Sequence, residues 1–99
     1  WRFIAVTYDS TAARDHVKLY VGTSTTEVRL ARAASCDQGP VGRGPGRLTV
    51  GHFNPGTRSG HEDRMFRGLI DEVRLFGSRT DGAGALPVEQ LRAIQRPAN

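Results

Sequence analysis

Cysteine, methionine and aromatic residues are scarce in this 99-residue chain, which has one Cys, one Met, one Trp, two Tyr and four Phe. Because Cys36 is the only cysteine, the chain cannot form an internal disulfide. Cys36 is either a buried free thiol or the partner of a cysteine in another segment. No apolar run approaches the roughly 18 residues that a membrane-spanning helix requires, so we expect no membrane insertion.

Negative charge is also in short supply, since 14 basic residues face 10 acidic ones and the formal net charge is +4. Lys18 is the single lysine, and every other basic residue is arginine. Arginine favours bidentate binding of sulfate, phosphate or carboxylate groups, and codon bias in a GC-rich genome explains the same excess. The arginines are scattered rather than interleaved with stacked aromatics, so we expect no nucleic-acid partner.

The chain has 12 Gly, 5 Pro and only 37% hydrophobic residues, which favours short strands and many turns over helices. Apolar residue patterns predict strands over 1–8, 16–22, 27–31, 48–53 and 66–76, and a short helix that starts at a proline over 87–95. Segment 1–8 is apolar on both of its faces, which suits a central strand covered on both sides. The first two strands should pair as an antiparallel hairpin.

Period-two geometry also predicts which side chains face the interior. In the second strand the inward set is Val17, Leu19 and Val21, and in the third it is Val28 and Leu30.

The segment 66–76 contains a carboxylate where a core side chain is expected. Leu69, Asp71, Val73 and Leu75 should share one face of this strand. An unpaired, desolvated carboxylate costs several kcal/mol, roughly, so Asp71 is expected to be hydrogen-bonded, ion-paired or bound to a metal.

Three sequence blocks follow a known pattern in the same order along the chain. The block Trp-x-x-Val-Ala-Val-Thr-Tyr-Asp is matched by Trp1, Ile4, Ala5, Val6, Thr7, Tyr8 and Asp9. The block Val-x-Leu-Tyr-Val is matched by Val17, Leu19, Tyr20 and Val21. The later block Phe-x-Gly-x-Ile-Asp-Glu-Val-Arg-Ile-Tyr is matched by Phe66, Gly68, Ile70, Asp71, Glu72, Val73, Arg74, Leu75 and Phe76. Together these blocks resemble the laminin G-like, concanavalin A-type jelly-roll family.

The resemblance implies an all-β fold, an antiparallel β-sandwich of the jelly-roll type with a short C-terminal helix. Residues 1–99 are then a single domain, and we expect it to lack the N-terminal strands of the family, because the matched blocks belong to the C-terminal half. One departure is the turn after Val21, which starts Gly22-Thr23 without the family's Asp-Gly. The resemblance also implies an extracellular or cell-surface location, within a larger parent chain whose other domains are partners.

Calcium is the candidate cofactor, because hard cations take carboxylate and carbonyl oxygens. The candidate metal ligands are Asp71 and Asp9. The alternative for Asp71 is a structural carboxylate that accepts backbone or Arg hydrogen bonds. For Asp9 the alternative is a loop-starting Asp that accepts a hydrogen bond from its own backbone.

We expect the function to be non-catalytic recognition, with a glycan or polysaccharide as the first partner and an extracellular protein as the second. Sugar sites combine a flat aromatic with a few orienting polar groups. The candidate ligand-binding residues are Tyr20, His52, Asn54, Arg58 and His61. The alternative is that Tyr20 packs on a second layer and the loop is merely solvated.

We expect no enzyme activity, because the neighbouring pairs Glu62-Asp63 and Asp71-Glu72 would point to opposite strand faces and the histidines lack a nucleophile.

Overall fold

The computed structural model describes residues 1–42, 48–51 and 66–95. The chain divides into two compact units, Trp1–Val41 with Leu75–Asn99, and Gly42–Arg74. The first unit is a small domain with a three-stranded antiparallel sheet and one short helix. Its elements are β1 (Arg2–Tyr8), β2 (Val17–Thr23), β3 (Arg29–Ala34) and α1 (Val88–Gln95).

The predicted hairpin of the first two strands is confirmed. β1 pairs with β2 in an antiparallel register that sets Ile4 opposite Val21 and Val6 opposite Leu19. The connecting loop closes where the Asp9 N–H donates to the carbonyl oxygen of His16 at 2.9 Å. The β-branched and aromatic residues of both segments suit a pleated surface, which is why the sequence located both strands well. The prediction that 1–8 is a central strand covered on both sides is wrong, because β1 lies at the edge of the sheet of the described residues and Ile4 and Val6 are exposed.

β3 begins at Arg29, later than the predicted start at residue 27. The intervening turn is held by Thr23, whose Oγ1 accepts the backbone N–H groups of Thr25 at 3.2 Å and Thr26 at 3.0 Å. The pairing of β2 with β3 shifts register between Leu19 and Tyr20, as in a β-bulge.

Helix α1 covers one face of the sheet. Leu91 packs with Tyr20 and Val28 in a cluster whose members are 5%, 5% and 0% exposed. The helix starts after Pro87, whose carbonyl oxygen accepts N–H groups of the first turn. The predicted helix over 87–95 is therefore confirmed, with the bounds Val88–Gln95.

The buried face is the one that carries Tyr20, so the prediction that Val17, Leu19 and Val21 point into the core is wrong. These three side chains are only half-buried, on the face opposite Tyr20. Alternation separates two faces but does not say which of them the helix covers.

The third-strand prediction is half right. Val28 is fully buried although it precedes β3, whereas Leu30 is 49% exposed. The buried position of Val28 comes from its packing against the helix rather than from strand alternation.

The strand predicted over 66–76 is absent, because these residues form no regular element. Glu72 has a φ of 57°, in the left-handed region that interrupts an extended strand. Residues 48–51 form no strand either, and residues 52 and 53 of that prediction lie outside the described part of the chain. The one sheet of the described residues does not confirm a two-sheet jelly roll.

Within the described residues, no helix has the length and apolar character that crossing a membrane demands.

Candidate functional site

A cleft of about 620 Å³ lies at the end of β1, within the first unit. The loop that leaves β1 forms one wall, and the connection before α1 forms the other. We call this site the Asp9 cleft. Its lining residues are Val6, Thr7, Tyr8, Asp9, Ser10, Thr11, Pro40, Val41, Phe76, Gly77, Ser78, Arg79, Thr80, Asp81, Gly82, Gly84 and Ala85.

Asp9 is the first residue after β1, and its carboxylate is held by the loop that it starts. Oδ1 accepts the Thr11 backbone N–H at 2.9 Å and the Thr11 hydroxyl at 2.5 Å. The hydroxyl hydrogen bond and then the backbone hydrogen bond lower the pKa of Asp9, and the nearby charges of His16 and Lys18 act in the same direction. The alternative interpretation of Asp9 as a loop-starting residue therefore describes its contacts.

Asp81 brings a second carboxylate to the cleft. Its Oδ1 accepts the Ala83 backbone N–H at 2.9 Å and the Ser78 hydroxyl at 2.8 Å. The hydrogen bond from Ala83 and then that from Ser78 lower the pKa of Asp81, while the charge of Asp9 acts to raise it. Both carboxylates are thus ionised at neutral pH.

Gly82 allows this loop to approach Asp9 closely. A Cβ atom at Gly82 would lie 2.5 Å from both carboxylate oxygens of Asp9. Such a separation is impossible without displacement, so a side chain at this position would push the Asp9 carboxylate or the loop away.

An exposed aromatic ring completes the cleft. Phe76 is 53% exposed and lines the same cavity as the two carboxylates. The Tyr8 hydroxyl, in contrast, is occupied, because it donates to the carbonyl oxygen of Gly39 at 2.5 Å. The half-exposed Phe76 side chain and the acidic oxygens together give the cleft an apolar surface with hydrogen-bond acceptors beside it.

Of the five sequence-predicted ligand residues, Tyr20 alone lies in the part of the chain that the structure describes. Tyr20 is buried under α1, as in the alternative interpretation, and its ring is not available to a ligand. His52, Asn54, Arg58 and His61 lie outside the described residues, so their ligand role stays a prediction.

The two predicted metal ligands fall in different units. Asp9 belongs to the first unit and Asp71 to the second. Asp71 is exposed, and its Oδ1 accepts the Glu72 backbone N–H at 2.9 Å, so the prediction of an inward-facing carboxylate is wrong. Within residues 1–42, 48–51 and 66–95, no three His, Cys, Asp or Glu side chains form a group that could hold a metal ion.

Cys36 is an exposed free thiol, so it is not the buried thiol of one sequence-based alternative. Its backbone N–H donates to Nδ1 of the buried His16 at 3.0 Å. This contact joins two loops distant in sequence, and sequence patterns gave no signal for it. Sequence patterns did not single out Asp81 either, although the Ser-x-x-Asp spacing of Ser78 and Asp81 is typical of side chains that accept hydrogen bonds from nearby backbone N–H groups.

No protein-family model matches the chain, and neither the curated proteins nor the solved structures contain a match to it. The laminin G-like resemblance therefore stays a prediction from the sequence motifs.

Proposed function

We propose that this chain is a non-catalytic recognition module that binds carbohydrate in the Asp9 cleft. The observation that carries the proposal is the presence of the half-exposed Phe76 ring in one cleft with the carboxylates of Asp9 and Asp81. Aromatic rings stack against the apolar C–H face of a sugar, and carboxylates accept hydrogen bonds from its hydroxyl groups.

The sequence resemblance supports the proposed class of protein and its extracellular location. A laminin G-like jelly-roll domain is a recognition scaffold of extracellular and cell-surface proteins, and we place this chain in that class and location. The motif Trp1–Asp9 ends at the cleft, since Tyr8 and Asp9 are both lining residues.

We propose that calcium assists carbohydrate binding in the Asp9 cleft. Asp9 supplies ionised oxygen to the cleft, and Asp81 adds a second carboxylate. A calcium ion held by these two carboxylates would bind sugar hydroxyl oxygens as further ligands, since calcium takes about 6–8 oxygen ligands.

The experiment is a glycan array probed with the labelled 99-residue chain, with calcium and with chelator. Asp9→Asn and Asp81→Asn keep the side-chain shape but remove the charge, and we expect each to weaken binding by about tenfold or more, as the loss of a charge-assisted hydrogen bond does. Asp37→Asn, an exposed position that does not line the cleft, makes the same charge change and is the matched control.

An array without any bound glycan contradicts the proposal, as does equal binding by the Asp9 and Asp37 variants. Calcium is tested separately by calorimetric titration of the chain with CaCl2. Glycan binding in chelator with no calcium heat would remove the cation and leave the carbohydrate site in place.

Protein adhesion is the second candidate function, and a different observation favours it. The face of the sheet opposite α1 is apolar, and its β1 side chains Ile4 and Val6 are 64% and 65% exposed. Exposed apolar patches on small domains mark interaction surfaces.

A further inference from the structure

The sheet has one covered face and one open face. Residues opposite each other in an antiparallel pair project to the same side. Tyr20, which packs under α1, lies opposite Ala5 and Leu30. The neighbouring positions therefore project to the other side, which we call the open face. The open face consists of Arg2, Ile4, Val6, Tyr8, Val17, Leu19, Val21, Thr23, Arg29, Arg32 and Ala34.

The centre of the open face is aliphatic. Ile4 pairs with Val21, and Val6 pairs with Leu19, so four aliphatic side chains adjoin across two strands. The two β1 members are about two-thirds exposed, and Leu19 and Val21 are half-buried between their neighbours. A contiguous aliphatic patch on a sheet matches the inner face of a sheet-on-sheet packing.

The border of the open face is basic. Arg29 lies opposite Val21, and Arg32 lies opposite Leu19, so both flank the aliphatic centre along β3. Arg2 lies at the start of β1 on the same side. The ion pairs recorded for the described part of the chain, Arg74 with Glu72 and Arg92 with Glu27, involve none of these three arginines.

We propose that the open face docks a protein partner in β conformation whose surface is aliphatic at its centre and acidic opposite β3. The open face has three arginines and no carboxylate among its own strand residues. A second copy would therefore bring positive charge and no carboxylate to the interface, so charge complementarity selects an acidic partner instead. This inference rests on the second candidate function. The open face shares Val6 and Tyr8 with the Asp9 cleft, whereas none of its three arginines lines the cleft.

The test uses two synthetic, disulfide-closed β-hairpins with the same valine face, one bordered by glutamates and the other by lysines. The full chain is titrated with each hairpin, and binding is followed by fluorescence anisotropy. We expect the glutamate hairpin to bind at least about tenfold more tightly than the lysine hairpin, with the difference shrinking as salt rises.

Charge reversal on β3 makes the test specific. In the double variant Arg29→Glu with Arg32→Glu, the preference should reverse toward the lysine hairpin. The matched control is Arg14→Glu with Arg67→Glu, two exposed arginines outside the sheet, which should keep the original preference.

A single change at the aliphatic centre tests the apolar contact. Val6→Lys should weaken the binding of both hairpins, whereas Leu69→Lys, at a position 80% exposed in the second unit, should not.

Equal affinity for the two hairpins, or no binding of either, overturns the proposal. So does a preference that the β3 reversal leaves unchanged. Sedimentation that shows a dimer of the chain, dissociated by Val6→Lys, would identify a second copy as the occupant and overturn it too. Glycan binding that survives the β3 reversal separates the failure of this docking from that of the Asp9 cleft.

Discussion

Among the residues that the structure describes, Gln95 stands out for its hydrogen bonds between distant parts of the chain. Its Oε1 accepts the Val28 N–H at 2.7 Å, and its Nε2 donates to the carbonyl oxygens of Thr23 at 3.0 Å and Thr26 at 2.9 Å. Gly22 leaves room for this contact, since a Cβ atom there would overlap with Gln95 Nε2. These hydrogen bonds connect the end of α1 to the turn between β2 and β3.

Replacing Gln95 tests how much these hydrogen bonds contribute to the stability of the fold. Gln95→Glu keeps an acceptor for Val28 but sets a carboxylate against two carbonyl oxygens, so we expect a loss of about 1–3 kcal/mol in the free energy of unfolding. Gln90→Glu, at an exposed position of the same helix, is the control for charge. Urea denaturation of both variants measures the difference, and equal losses would mean that the amide contacts contribute nothing particular.

His16 is a second residue whose role depends on a distant partner. It is 5% exposed, and its Nδ1 accepts the Cys36 N–H at 3.0 Å. We expect His16→Ala to cost about 1–3 kcal/mol, because it leaves that donor unpaired. His16→Asn retains an acceptor near the Nδ1 position and should recover part of the loss. Thermal unfolding of the two variants distinguishes them, and identical midpoints would contradict a role for the acceptor.

Asp9 gives the fold a predictable acid dependence. Its pKa is lowered from 3.8 in the folded state, mainly by the Thr11 hydroxyl. A carboxyl group with a lowered folded pKa stabilises the fold above its unfolded pKa and loses that contribution as pH falls through the folded value. We therefore expect stability to decline below pH 3.8, and less steeply in Asp9→Asn than in the control Asp37→Asn. Unfolding midpoints measured from pH 7 down to about 2.5 test this, and parallel curves for the two variants would refute it.

At the scale of elements, local patterns predicted β1, β2 and α1 with nearly the observed bounds. Alternation and β-branched residues specify the strands, and Pro87 specifies the start of the helix. The Phe66–Phe76 prediction failed although its alternation is equally clean, because a strand needs a neighbour to satisfy its backbone groups. Among the described residues no strand pairs with this segment, although the Phe66 N–H donates to the carbonyl oxygen of Gly51. A local sequence pattern does not show whether a partner strand exists.

A matched pair of variants tests which face of the sheet forms the core. Val28 is 0% exposed under α1, whereas Val6 is 65% exposed on the open face. Val28→Ala removes two buried methyl groups, so we expect a loss of about 1–3 kcal/mol, and Val6→Ala should cost much less. Guanidinium denaturation measures both, and a larger loss at Val6 would place the core on the opposite face of the sheet.

At the scale of the whole molecule, the candidate site was predictable only in part. Asp9 follows from its position after a predicted strand, and both interpretations of it came from the sequence. Asp81 and Phe76 join it in the cleft through a fold-level contact between segments about seventy residues apart, which no local pattern encodes. Tyr20 was misjudged as a ligand residue because alternation could not tell the face under α1 from the open one.

The proposal of a recognition module makes carbohydrate binding at the Asp9 cleft the central claim. The most direct measurement is a ¹H–¹⁵N NMR titration of the full chain with the tightest oligosaccharide from the array. We predict saturable shifts of the Thr11, Asp81 and Gly82 amides, which belong to cleft-lining residues, and constant positions for the Val28 and Gln95 amides. Shifts confined to residues that do not line the cleft, or no shifts at all, would contradict the claim.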